Sequence, residues 1–156
     1  MEALDKAVKN IRIADHMINV TYDVVKEPKL LLSILDNIFL AMTNAMAALL
    51  YLDREYKRIP EFKDNFEGKI NAFSRYAADR HKIDREYIGM MRDIKELLVA
   101  HRTSPIEFSK KDRFVICSDN YHMKTITAKQ IKDYVAKAKL FIQDIKQVVD
   151  NGRKDI

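Results

Sequence analysis

The run from Leu30 to Leu52 constrains this chain more than any other stretch. It contains no Lys or Arg and is apolar nearly all the way round. A helix with no polar face needs apolar neighbours on every side. The run is long enough to cross a bilayer. However, Asp36, Asn37 and Asn44 would then lie in hydrocarbon, where each is costly. The reading is a central helix enclosed by other helices, with no membrane partner.

The remaining residues supply that enclosure. A chain of 156 residues suits one domain over 1–156, and a chain of this size buries about 70% of its unfolded surface. It has 3 Gly, 3 Pro and no Trp, so few positive-φ turns and long helices with short links. Over 2–26, Leu4, Ala7, Ile11, Ala14, Ile18, Thr21 and Val25 recur at steps of three and four, a heptad seam. Pro28 ends that helix. A second covers 29–58, turning basic at Arg54, Lys57 and Arg58 before Pro60. A third covers 61–80, with Phe62, Phe66, Ile70, Phe73 and Ala77 on one face and Gly68 in its middle. Asp84 caps a fourth over 85–102, whose apolar line is Tyr87, Met91, Ile94 and Leu98. Ser104-Pro105-Ile106-Glu107 is a capping box with Pro at the first helical position, which predicts a short helix of about two turns. Phe114 to Cys117 is β-like, Ser118-Asp119-Asn120 is turn chemistry, and Tyr121 to Ile126 returns as a partner strand. Thr127 to Gln130 is a second capping box. It opens the last helix, which Asn151-Gly152 ends. The expected fold is all-α: an antiparallel bundle of four long helices plus a short one, with a small β-hairpin before the C-terminal helix. The apolar seams of the first and last helices predict that these pack on each other or across a homodimer.

Few residues suggest chemistry. His16, His81, His101 and His122 fall on different elements, there is no inward Glu-x-x-His pair, and Asp119 to His122 falls in the turn. No metal site and no cofactor are expected. Cys117 is the only cysteine and sits in a β-branched run, a small hydrophobe in a reducing, cytoplasmic compartment. The N-terminus has no basic region followed by an apolar core, so no signal peptide is read there. The net charge of +5 permits RNA or an acidic protein as partner. Between Arg75 and Arg85, the cations Arg75, Arg80, Lys82 and Arg85 surround Tyr76 and His81. This is either a phosphate-binding edge or a solvated helix junction partly neutralised by Asp79 and Asp84. His101 stands seven residues after Ile94 and shares its face. It either closes the core stripe at a helix C-terminus, where the dipole favours its cation, or serves as a general acid-base. Arg102 is beside it, and chain reversal would bring Asp112 and Arg113 close.

Leu97-Leu98-Val99-Ala100-His101-Arg102, within a helical bundle, resembles the fourth-helix signature of HEPN proteins. These are small all-helical domains, often dimeric, many of them metal-independent ribonucleases of toxin and defence systems. Their motif is Arg, then four to six residues, then His. Glu96 stands where that arginine belongs, and Arg92 lies nine residues before His101, on the opposite helix face. Arg75 and His81 have a permitted spacing but lack the apolar run. The resemblance implies a degenerate site with catalytic roles for His101 with Arg102 or Arg92. Ala14-Asp15-His16-Met17, Val20-Thr21-Tyr22, Lys29 to Leu32, Ser104 to Phe108 and Lys111 to Ile116 resemble a group of small archaeal helical proteins. That likeness implies a cytoplasmic archaeal origin and no particular activity. The functional expectation is a non-catalytic helical binding or scaffold protein that touches RNA through Arg75, Arg80, Lys82 and Arg85. A HEPN-like ribonuclease and a module for a protein partner are the alternatives.

Overall fold

The structure, a computed structural model, describes residues 1–104, 106–117 and 122–154. Pro105 and Ser118 to Tyr121, read above as a helix start and a turn, lie outside the described residues. The protein is mostly helical, with a small antiparallel sheet before its last helix. Helix α1 is Glu2–His16, continued by a π-helical segment Met17–Thr21 and by Tyr22–Val25. Helix α2 is Leu30–Glu55. Helix α3 is Phe66–Ala72, a π segment Phe73–Ala77, and Ala78–Arg80. Helix α4 is Glu86–Thr103. Strands β1 (Ile106–Lys110), β2 (Arg113–Cys117) and β3 (Met123–Thr127) precede helix α5 (Ala128–Lys154).

Helix α2 is the axis of the molecule. Ile34, Leu35, Ile38, Met42, Met46 and Leu49 are all fully buried along it. By length and composition it could also span a membrane, and 56% of its most apolar stretch is buried within the protein. Helix α1 runs against it in the opposite direction, since Asn10 meets Asn44 and Met17 meets Asn37. Helix α5 runs opposite to α1, with Lys139 on Asp15 at one end and Lys146 beside Leu4 and Val8 at the other. Its far end reaches Leu52, so α5 is parallel to α2. The sheet lets the chain enter α5 in that direction. The order is β1-β2-β3, with Ile106 opposite Cys117 and Phe114 opposite Ile126. Phe114, Ile116 and Ile126 join the core.

Five expectations are corrected. The seam of α1 runs Leu4, Ala7, Ile11, Ala14 and Ile18 as read and goes on to the buried Tyr22, but Thr21 is only half-buried and Val25 is 58% exposed. The π segment is the cause, because its wider turn advances the buried face by one residue. The third helix begins at Phe66, not at 61. Asn65 caps it by accepting the Gly68 amide at 2.8 Å. The capping box at Ser104 opens no short helix. Ile106–Lys110 is a strand, because Ser104 Oγ lies 2.7 Å from the carbonyl oxygens of both Ile106 and Cys117. Glu107, which a capping box would turn back to Ser104, is bound to His101 instead. The hairpin is therefore a three-stranded sheet. Finally, α5 passes through Gly152, which lies beside Leu52, and does not end there.

Candidate functional site

Helix α4 ends beside the sheet, and this places His101. Its Nδ1 lies 2.6 Å from Glu107 Oε2 on β1, and its ring stands edge-on to Phe114 of β2 at 6.4 Å. The imidazole is thus held by a carboxylate on one side and an aromatic wall on the other. Its Nε2 is the uncommitted nitrogen. The side chain is 36% exposed, so it does not close the core stripe as a buried residue would. It borders a cavity of about 390 Å³ lined by Leu32, Ser33, Asp36, Leu98, His101 and Arg102. A carboxylate-oriented histidine beside a guanidinium is equipped to bind an oxyanion or to move a proton.

Arg102 belongs to a longer feature. On an α-helix, Arg92, Lys95, Val99 and Arg102 fall within an arc of about 80° and span about 15 Å along the axis. Arg92 and Arg102 are exposed, and neither forms an ion pair or hydrogen bond among the described residues. The Lys95 ammonium lies 5.7 Å and 5.6 Å over the rings of Phe39 and Phe66. Arg92 is about half a rotation and 13 Å from His101, so one copy of the chain brings Arg102, and not Arg92, to the imidazole.

The other expected phosphate-binding cations lie at the α3–α4 junction, and two are engaged internally. Arg85 donates to the Ser74 carbonyl and hydroxyl oxygens and to Asp79. Arg80 donates to the Arg58 carbonyl. Arg75 and Lys82 are exposed. Asp112, expected near His101, instead accepts from Tyr22 Oη at 3.1 Å. Burial, reinforced by that bond to Asp112, pushes the Tyr22 hydroxyl up to about 12. Cys117 is half-buried at the end of β2.

The structure also holds a second histidine–carboxylate pair. Asp53, fully buried near the end of α2, has its two oxygens 3.0 Å and 2.8 Å from His81 Nε2. Arg58 Nη1 is 3.6 Å from the same carboxylate. Asp53 and His81 are 28 residues apart, so no local pattern joins them. Glu107 was read above as a capping residue, and Asp36 only as a cost to a membrane span. Both became visible as site residues once the helices were packed.

Comparison of the chain with family models, curated proteins and solved structures returned no match.

Proposed function

We propose that this is a non-catalytic, cytoplasmic helical binding protein that takes single-stranded RNA along the outer face of α4. The observation that carries the reading is the junction of the Arg92–Lys95–Arg102 stripe with the His101 cavity. The stripe supplies three cations for successive phosphates, and backbone charge dominates the affinity of such contacts. The cavity supplies Leu32 and Leu98 as apolar walls, and Ser33 and Asp36 as hydrogen-bonding groups for a base edge. Its size falls in the range of about 300–1,000 Å³ that ligand pockets occupy. The candidate edge at Arg75, Arg80, Lys82 and Arg85 then plays a lesser part, since Arg80 and Arg85 already serve the fold.

A second reading is favoured by the 2.6 Å contact between His101 and Glu107. Glu107 would orient the ring and stabilise its cation, as a general base requires. His101 Nε2 would take the proton from a ribose 2′-hydroxyl, whose oxygen attacks the adjacent phosphorus and expels the 5′-oxygen. Arg102 would hold the non-bridging oxygens. This is the degenerate HEPN-like ribonuclease, and it needs no metal.

One experiment separates the readings. Labelled mixed-sequence RNA is incubated in chelator at low salt with wild type, His101→Ala and Arg102→Glu, and read on native and denaturing gels. The binding reading expects a shift without cleavage in wild type, kept by His101→Ala and lost in Arg102→Glu. Cleavage by wild type alone would move the protein to the ribonuclease reading. Neither shift nor cleavage would reject RNA and favour an acidic protein partner.

Homodimerisation belongs to the same proposal. It is supported by Ile13, Val20 and Leu40, which are 39%, 49% and 43% exposed on neighbouring helices. A second copy covering these side chains would take their apolar surface out of water. A monomer by light scattering at micromolar concentration would remove the dimer.

A further inference from the structure

We propose that the cavity where the ends of α2, α3 and α5 meet is a binding site for a single phosphate group, carried as free phosphate or as a phosphomonoester head. The site is independent of the RNA-binding face, since Asp36 and Asp53 are about 26 Å apart along α2.

The cavity holds about 250 Å³ and is lined by Arg58, His81, Val148, Asn151 and Gly152. That is below the usual size for a drug-sized ligand and suits a small ion or a head group. Beneath it lies Asp53, the one fully buried charged group among the described residues. A carboxylate taken out of water costs several kcal/mol, and a buried ion pair is seldom more stable than apolar packing of the same volume. Asp53 is therefore poorly explained as a stabilising group and well explained as a positioning one. Both of its oxygens face His81 Nε2, so Nε2 donates and the ring is fixed by the carboxylate. The π segment Phe73–Ala77 sits just ahead of His81 on α3, a deformation that recurs beside functional sites.

The chemistry of the lining selects the ligand. Arg58 brings a planar fork of N–H donors, held over the Tyr56 ring at 5.1 Å and 33% exposed. Asn151 brings an amide from α5. A guanidinium repels a metal cation and matches an oxyanion. Asp53 is engaged by His81 and Arg58 beneath the cavity, and among the lining residues Arg58 carries the permanent charge, which is positive.

The test is calorimetric titration of the whole chain with inorganic phosphate, a nucleoside 5′-monophosphate and sulfate, with the amide resonances of the wild type followed in parallel. The expected result is saturable one-to-one phosphate binding, with sulfate competing for the same site as a second tetrahedral oxyanion. Shifts should concentrate at Arg58, His81 and Asn151. Arg58→Gln should weaken phosphate at least about tenfold, and Asn151→Ala several-fold. Arg102→Gln should leave it unchanged, which separates this site from the RNA-binding face. Tighter binding of the monophosphate or of free phosphate identifies the physiological source. Absence of saturable binding, shifts elsewhere in the protein, or full affinity in Arg58→Gln would overturn the proposal. Because replacing His81 removes the nearest partner of the buried Asp53, the resonance mapping of wild type tests that residue without a variant.

Discussion

Tyr22 is 4% exposed and donates its hydroxyl to Asp112, whose carbonyl in turn accepts the Ala128 amide at 3.0 Å. One side chain thus ties the end of α1 to the β1–β2 turn and to the start of α5. Its hydroxyl, pushed up to about 12, keeps its proton in the folded state while the unfolded chain loses it near pH 10. The unfolded state then binds fewer protons, so this contribution is whole below pH 10 and is lost between pH 10 and 12. The loss is about 2–3 kcal/mol, and urea unfolding of Tyr22→Phe should lack that part of the alkaline fall. Two glycines make an opposed pair. A Cβ on Gly68 would sit 2.3 Å from the Lys63 carbonyl oxygen, whereas one on Gly89 meets nothing within 4 Å. Gly68→Ala should cost about 1–3 kcal/mol and disturb the Asn65 cap. Gly89→Ala, in the interior of α4, should add about 1 kcal/mol. Thermal unfolding of both variants checks the signs.

At the scale of elements, three helices end on a lysine in the left-handed region. Lys26 has φ 52°, Lys57 55° and Lys82 56°, and no glycine has a positive φ. Each such residue costs about 1–2 kcal/mol that glycine would not. Lys26→Gly and Lys57→Gly should each therefore stabilise by about 0.5–1 kcal/mol, after the added freedom of the unfolded chain is subtracted. Equilibrium urea titration should show both midpoints rising. These ends also explain what was legible beforehand. The apolar stripes of α1 and α5 carry strong periodicity, α2 is legible from its unbroken apolar run, and Thr127 caps α5 as read, accepting the Gln130 amide at 3.0 Å. The Ser104 capping box has the same local form but fails, because β2 carries the buried Phe114 and Ile116 and takes β1 as its outer neighbour. Tertiary pairing outweighed a local signal worth about 1 kcal/mol. The π segments were invisible because they keep helical composition and change only the phase of the stripe.

At the scale of the molecule, two histidine–carboxylate pairs stand at opposite ends of α2. His101 and Arg102 were legible as a titratable break in an apolar stripe. Glu107 and Asp36 were not, because their roles arise from packing α4 against β1 and α2. Asp53 carried no signal in the sequence, because its role arises where His81, just past the end of α3, closes over it. The positive charge is similarly divided. Arg80, Arg85, Lys124, Lys137 and Lys139 hold elements together, while Arg92 and Arg102 remain exposed on α4. That division is the basis of the central claim, and the salt dependence of RNA affinity tests it most directly. Fluorescence anisotropy with a short single-stranded RNA would be recorded over a range of salt concentrations for wild type and for Arg92→Glu/Arg102→Glu. Three phosphate contacts predict a slope of log affinity on log salt of about −2 for wild type, collapsing in the variant. Affinity that ignores salt, or that survives the double charge reversal unchanged, would contradict the account.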